Sequence, residues 1–462
     1  MRNDELEQLG CPKSCLTLAF EYIAKASKDG LLKRYKPKEL IQAILDNPQS
    51  YFNDTTAGRF AKGIAAAEIM VNKGPVPLKI WGESGIDFNA VEQMRSALTL
   101  PVAFQAAMMP DSHFGFSIPV GGVFATVNSV IPIAVGVDIA CRMKLTVTDY
   151  DIADLAKNEN KLIEAIEKET CFGMGKEFSK KRQHAVMDQD WKISPVTKHM
   201  KNTAWAQLGT SGSGNHFCEF GIIQFSEQMT GIDVDKQYLA LLTHSGSRGT
   251  GAKVCNHYNK IAQQSLSKDC KKYRYLPWLS LDTQEGKEYW DAMNLMGNYA
   301  AANHDCIHRH VCQNLGAGII LQIENHHNFA WKEIHNGIEV IVHRKGATPA
   351  GKGVLGVIPG SMADPAFVVE GLGVPESLMS ASHGAGRKYS RSHAKQSFNW
   401  EYWNDELKKR GVKLLGAGID EVPAVYKDIL QVMEAQVDLV KPLARFDPKI
   451  VKMAGGHEPA ED

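Results

Sequence analysis

Apolar residues recur at helical spacing from Leu16 to about Val71, most regularly in Leu16-Thr-Leu-Ala-Phe-Glu-Tyr-Ile-Ala-Lys and Lys38-Glu-Leu-Ile-Gln-Ala-Ile-Leu. A stripe of that period predicts amphipathic helices, here an appended helical cap. Lys73-Gly-Pro-Val-Pro breaks the period, and short β-branched runs separated by glycines follow, so the main domain is expected to start there. Val130-Ile-Pro-Ile-Ala-Val-Gly-Val-Asp-Ile-Ala-Cys-Arg-Met reads as a buried strand, and Leu239–His244, Gly318–Ile323 and Glu339–His343 read as further strands. Helical alternation returns between Tyr150 and about Gln207, over Tyr289–Leu315 and around Ile429-Leu-Gln-Val-Met-Glu-Ala. The tail Ala454–Asp462 is expected to be disordered.

A chain of 462 residues with 44% hydrophobic content can bury a full core. Lys+Arg and Asp+Glu balance at 52 each, which leaves no overall electrostatic footprint for nucleic acid and confines any contact with RNA or DNA to a local groove. The basic cluster Lys180-Lys-Arg is read as a solvated face. Nine cysteines scattered from Cys11 to Cys312 lack the spacing of a disulfide framework and imply reduced thiols. With no apolar run of transmembrane length and a charged N-terminus, a cytoplasmic protein is expected.

Three glycine-rich loops at strand ends each carry a histidine: His216 in Gly209-Thr-Ser-Gly-Ser-Gly-Asn-His, His244 in His-Ser-Gly-Ser-Arg-Gly, and His383 in Ser-His-Gly-Ala-Gly-Arg. Asp138 and Cys141 close the Val130 run; an ionised carboxylate there is costly unless paired or metal-bound, and the bland alternative is a turn cap beside a core cysteine. Asp138, Cys141, His216, His244 and one of His326 and His327 make a carboxylate, thiolate and imidazole set suited to manganese, zinc or iron, and rich enough for two ions if the thiolate bridges. His383 is then free to be a nucleophile, with Arg387 and Arg391 at i, i+4 spacing as phosphate forks. His304, Cys306, His308, His310 and Cys312 imitate a zinc cluster, but one helix cannot aim all five at a point. A lone His343 in a strand reads as structural. The residues by themselves reach metal-dependent phosphoryl or nucleotidyl transfer through a histidine.

Met109-Pro-Asp-Ser-His-Phe-Gly, Ala134-Val-Gly-Val-Asp-Ile-Ala-Cys, the three histidine loops, His327-Asn-Phe-Ala, His343-Arg-Lys-Gly-Ala-Thr and Pro359-Gly-Ser-Met occur in an order that resembles the RtcB-type RNA ligases, over roughly Pro77 to Lys452. The resemblance implies an α/β (α+β) fold: one large catalytic domain over 76–462 with packed mixed and antiparallel sheets around a metal cleft, preceded by a helical extension over 1–75. It implies a monomeric ligase that uses Mn2+, two ions, and GTP to join RNA 3′-phosphate or 2′,3′-cyclic phosphate ends to 5′-hydroxyl ends, as in RNA repair or the splicing of broken tRNA. His383 would be guanylylated, and Asp138, Cys141, His216, His244 and His327 would hold the metals. Asn215, Glu219, Ser361, Tyr426 and Lys452, with the Gly384, Ala385 and Gly386 loop, would hold the nucleotide. Arg248 and Arg391 would handle RNA phosphate, and Asn215 would also serve the transfer.

Ser117, Ala140 and Arg142 stand where the family customarily has glycine, Ala366 replaces a serine that helps read guanine, and Pro349 replaces an arginine. These departures mark a divergent branch. Two other readings stay open: a metal-dependent phosphohydrolase acting on cyclic phosphate ends without GTP, and a non-catalytic RNA-end binder.

Overall fold

The computed structural model describes residues 1–12, 15–71 and 75–456. Helices open the chain where the apolar period predicts them: α1 (Asn3–Gln8), α2 (Leu16–Lys28), α3 (Pro37–Asp46) and α4 (Gly58–Val71). Their inward stripes, including Tyr22, Ile41, Ile44 and Phe60, bury in a core of their own, and Arg59 ties α4 to the rest of the molecule through Asp282 at 2.8 Å. The break at Lys73 and Gly74 lies outside the described residues.

In chain order the strands are β1 (Leu78–Ile80), β2 (Ala103–His113), β3 (Val120–Thr126), β4 (Ser129–Val130), β5 (Arg142–Thr148), β6 (Phe217–Phe225), β7 (Gln237–Ser245), β8 (Leu279–Ser280) and β9 (Ile319–His326). They continue with β10 (Asn328–His335), β11 (Ile338–Lys345), β12 (Ala347–Pro349), β13 (Leu355–Ile358), β14 (Ala366–Gly371), β15 (Ser380–Ser382), β16 (Lys413–Gly416) and β17 (Val440–Met453). The remaining helices are α5 (Phe88–Ala97), α6 (Pro132–Val135), α7 (Glu159–Glu169), α8 (Pro195–Gln207), α9 (Arg248–Ser265), α10 (Gln284–Leu315), α11 (Arg391–Ser397), α12 (Trp400–Lys409) and α13 (Ile429–Glu434).

The class is mixed α/β, as expected. One sheet has the order β1-β2-β3-β11-β10, and a second runs β13-β14-β17-β6-β7-β5-β9 with β16 added beside β17. Pairing is antiparallel except at β1–β2 and β16–β17. The second sheet curls until its edges meet: Asn325 on β9 accepts from Val357 N on β13 at 2.8 Å and donates back to Val357 O at 3.3 Å. Alternate residues of its strands, among them Leu145, Ile223, Leu242, Val368 and Phe446, fill the interior. The first sheet packs one face against α5, α8, α9 and α10.

Several sequence expectations needed tertiary correction. The Val130 run is not one strand: Val130 ends β4, Pro132 begins the single turn of α6, Gly136 ends it at φ +107°, and the next strand begins only at Arg142. Between Tyr150 and Gln207 the helical reading holds for α7 and α8 but not for the loop between them. Lys180 and Lys181 are exposed, whereas Arg182 is buried, with its guanidinium on Glu169 Oε2 (3.0 Å) and Gly209 O (3.3 Å) and over the Phe178 ring. Ala454 at the start of the tail is buried, and residues 457–462 lie outside the described residues. All nine cysteines are free thiols. No helix among the described residues is long and apolar enough to cross a membrane.

Candidate functional site

The loop between α6 and β5 turns on Ala140, which lies in the left-handed region at φ +58° and donates its N–H to Asn328 O at 2.6 Å. A side chain in that conformation costs about 1 kcal/mol more than glycine, which is the physical meaning of a customary glycine there; Ser117, at φ +87°, repeats the case. The turn sets Asp138 and Cys141 side by side. β6 and β7 pair with Phe217 opposite His244, so His216, one residue before β6, faces His244 at the end of β7. His327 lies between β9 and β10, where its N–H donates to Cys141 O at 3.0 Å.

Four chain segments thus converge. Cys141 Sγ lies 3.3 Å from His216 Nε2 and 3.0 Å from His244 Nε2, and the latter lies 3.2 Å from His327 Nε2. Asp138 Oδ1 accepts from Ser247 N (2.9 Å) and Oγ (3.1 Å), while Oδ2, 3.3 Å from His216 Nε2, is buried with no well-formed hydrogen bond among the described residues. Gly246 permits this approach, because a Cβ there would fall 2.1 Å from Asp138 Oδ2. His244 Nδ1 donates to Asn215 O at 3.2 Å, which leaves its Nε2 lone pair for the cluster. Burial pushes His244 down to about 3 and His327 well below its usual range, so both imidazoles stay neutral. Burial would raise the Asp138 carboxyl, but His216, Arg248 and Cys141 together hold it well below the usual range. Cys141, His216 and His244 offer donor atoms within 4.8 Å of one another, a cluster that fits a divalent cation, and Asp138 Oδ2 and His327 Nε2 stand beside it, each near one of its histidines.

His383, just past β15, lies against His327 with ring centroids 4.8 Å apart. Its Nδ1 and backbone N–H both donate to Asp111 Oδ2, at 2.7 and 3.1 Å. Asp111 is fully buried on β2. A carboxylate on Nδ1–H leaves Nε2 as the free lone pair, which faces a cleft of 380 Å³. Gly386 is small for a different reason than ligand access: at φ +74° it packs so closely that a Cβ would lie 2.1 Å from Asp111 O.

Asp138, Cys141, His216, His244, His327, His383, Asn215, Glu219, Ser361, Gly384, Ala385, Gly386 and Tyr426 all line that cleft. Glu219 is buried on β6, and desolvation pushes its carboxyl well above the usual range. Tyr426 donates its hydroxyl to Glu421, lies under the Arg387 guanidinium at 5.5 Å, and is pushed well above its usual value by burial and by Glu421. Three expected residues stand behind the walls. Arg248 is buried with Nη1 on Ser211 O (3.0 Å), Ser245 Oγ (2.9 Å) and His216 Nδ1 (3.2 Å). Arg391 pairs with Asp420 and Glu421 and starts α11, so it shares no helix with Arg387, which is itself bonded to Glu421 Oε2 at 3.3 Å. Lys452 alternates with Val451 and Met453 along β17; those two face the cleft, and Lys452 reaches Glu167 at 2.7 Å on the other side. His326 turns away from His327 to meet Arg142 Nη2 at 3.2 Å.

Sequence reasoning missed Asp111 and Glu421. Asp111 sits in the Met109-Pro-Asp-Ser-His stretch already singled out, and a carboxylate inside an apolar strand was the available signal. Glu421 gave none, since its partners become visible only in the fold.

The family model described as tRNA-splicing ligase RtcB matches residues 93–200 and 185–454. The RNA-splicing ligase RtcB of Escherichia coli K12 is 32% identical, with 79% of this chain and 94% of that protein covered. The tRNA-splicing ligase RtcB of Thermococcus kodakarensis is 27% identical over 80% of this chain and 94% of its own length. RNA-splicing ligase RtcB homolog 2 of Entamoeba dispar is 28% identical over 80% and 84%. The matched span contains every cleft residue described above, and on that extent of agreement the chain belongs to the RtcB family.

Proposed function

We propose that the protein is an RNA ligase of the kind its relatives' names describe, which joins RNA 3′-phosphate or 2′,3′-cyclic phosphate ends to 5′-hydroxyl ends, with GTP as cosubstrate and Mn2+ as cofactor, in RNA repair or tRNA splicing. The observation that carries this reading is a histidine held by a buried carboxylate at Nδ1, with Nε2 open to a cleft and its ring against a convergent donor cluster. Water first opens a 2′,3′-cyclic phosphate at its P–O2′ bond to give the 3′-phosphate. Nε2 of His383 attacks the α-phosphorus of GTP and pyrophosphate leaves; the GMP passes from His383 to an oxygen of the RNA 3′-phosphate; the 5′-hydroxyl then attacks the RNA 3′-phosphorus and releases GMP. Asp111 fixes the tautomer of the ring that presents the Nε2 lone pair and stabilises the charge that the ring gains. Asp138, Cys141, His216, His244 and His327 would hold two manganese ions, which would supply positive charge that polarises phosphoryl oxygens.

Glu219, buried with no ionic partner among the described residues, accepts from the two donors on the guanine edge, and Tyr426 offers its face to the base. Asn215, Ser361 and the amides of Gly384–Gly386 serve the phosphates and sugar. Arg248 and Arg391 act through His216 and Glu421 as positioning residues. The test is incubation with Mn2+ and GTP labelled at the α-phosphate, followed by denaturation. Label on the wild-type chain and none on His383→Ala is expected. A chain that binds manganese but takes no label from GTP overturns the proposal in favour of a phosphohydrolase.

A further inference from the structure

Two phenylalanines stand in water beside the cleft. Phe114 is 63% and Phe116 77% exposed on the loop between β2 and β3, and Phe116 lies on the cleft rim. Exposed aromatic pairs on a mobile loop carry little meaning, but this loop is strapped down along its backbone. Gln93 of α5 donates to Gly115 O (2.6 Å) and Ser117 O (3.0 Å) and accepts from Gly115 N (3.2 Å). From the opposite side Lys345 Nζ donates to Phe116 O and to Ser117 Oγ, the latter at 3.0 Å. The chain holds Ser117 at φ +87° to keep this shape. A rigid backbone that presents two rings to solvent pays no ordering cost when a flat ligand stacks on them.

The same helix leads to a basic and aromatic loop. One turn beyond Gln93, Ser96 O accepts from the Tyr275 hydroxyl at 3.2 Å, and Thr99 O accepts from Tyr273 at 2.9 Å. Between and beside these tyrosines Lys271, Lys272 and Arg274 are exposed, with no ion pair among the described residues, and Lys272 lies over the Tyr273 ring at 4.9 Å. Stacking rings near the reacting histidine, followed by unpaired cations farther out, match the alternation of base and phosphate in a single strand. In a chain of zero net charge this is a local polyanion track.

We propose that Phe114 and Phe116 form a stacking platform for the bases of a single-stranded RNA end entering the His383 cleft, and that Lys271, Lys272 and Arg274 hold the backbone of that strand farther along α5. The proposal rests on the RNA-ligase reading for its ligand. It is tested with a short single-stranded RNA bearing a 3′-phosphate and 2-aminopurine in place of a base near that end, titrated into the full chain. The wild type quenches the fluorophore on binding. Phe114→Ala/Phe116→Ala loses the quench and binds between about fivefold and 100-fold more weakly, Phe116→Trp in the Phe114→Ala background restores much of both, and Tm is unchanged because the rings are exposed. The triple variant Lys271→Ala/Lys272→Ala/Arg274→Ala flattens the logarithmic salt dependence of binding by up to about 2 in slope, at roughly 0.7 per phosphate contact. Equal quench and affinity in the double phenylalanine variant overturns the platform, and so does a wild type that does not bind the RNA. Ring-dependent RNA binding by a chain that takes no label from GTP leaves the platform standing and removes the ligase reading instead.

Discussion

Two groups of histidines share this molecule, and they invert what their spacing suggests. On α10, His304, Cys306, His308, His310 and Cys312 crowd into one stretch of sequence, yet the helix sends Cys306 and His310 away from the histidine face. His304 and His308 are buried, and each is bonded to the hydroxyl of Thr243 at 2.8 Å; His308 reaches Thr146 as well, at 2.7 Å. Both nitrogens of His308 are matched by hydroxyls, and His304 is matched at Nδ1, its Nε2 being buried without a hydrogen-bond partner among the described residues. In the cleft, His216 and His244 arrive from distant loops and bring their nitrogens and Cys141 Sγ within 4.8 Å of one another, with His327 Nε2 adjoining His244 at 3.2 Å and Asp138 Oδ2 adjoining His216 at 3.3 Å. Both groups are buried, and burial keeps His304, His308, His244 and His327 neutral. The difference is convergence: imidazoles capped by hydroxyls along one helix are structure, whereas imidazoles from separate segments whose Nε2 atoms gather around a thiol and a carboxylate make a candidate site.

The comparison can be broken most directly at its sulfurs. Cys141→Ala is expected to abolish bound manganese, measured by elemental analysis of purified protein, whereas Cys306→Ala on α10 keeps it; loss in both would erase the distinction. Next in size is Asp111→Asn, whose amide offers a donor to Nδ1 and so selects the wrong tautomer of His383. The rate of labelling from GTP should fall roughly 100-fold or more with manganese content unchanged. A smaller effect belongs to the α10 group: Thr243→Val removes the shared hydroxyl and should cost about 1–3 kcal/mol per orphaned ring in denaturant unfolding, with the metal retained.

His343 sharpens the same contrast through pH. It accepts from Ile131 N at 2.9 Å and donates to Phe124 O at 3.0 Å, and burial pushes it down to about 4. Below the unfolded value of about 6.5 the unfolded ring binds a proton that the folded ring refuses, so stability falls as pH falls from there to about 4, by about 1.4 kcal/mol per pH unit from this residue. His343→Gln should flatten that part of the pH profile of chemical denaturation. The smallest effect is on the basic cluster: Lys180→Ala changes neither stability nor RNA binding, while Arg182→Ala, which strands Glu169, lowers Tm.

Much of the cleft was legible because its chemistry travels in short motifs. A histidine in a glycine loop at a strand end keeps its meaning wherever the strand goes, so His216, His244 and His383 could be chosen from local pattern alone, and the unusual backbone at Ser117 and Ala140 could be suspected from the missing glycines. The choice between His326 and His327 needed the β9–β10 turn, which gives one ring to Arg142 and the other to the cluster. Fourteen residues of β17 escaped because Pro442 and Pro448 interrupt their alternation; the prolines sit at irregularities of the ladder, where no N–H is needed. Lys452 was misplaced for the related reason that a strand's facing cannot be assigned before its register is known.

The sequence by itself determined the helical opening, the reactive residue types and the loops that carry them, because helical period, glycine and charge act over a few residues. Only the tertiary structure decided which groups share protons. Asp111 meets His383 across 272 positions, and Glu421 gathers Arg387, Arg391 and Tyr426 across loops. Such pairings depend on distances of 3 Å between atoms whose separation along the chain carries no information about contact, and the barrel-like sheet that brings them together is itself fixed by burial of alternate residues rather than by any one motif.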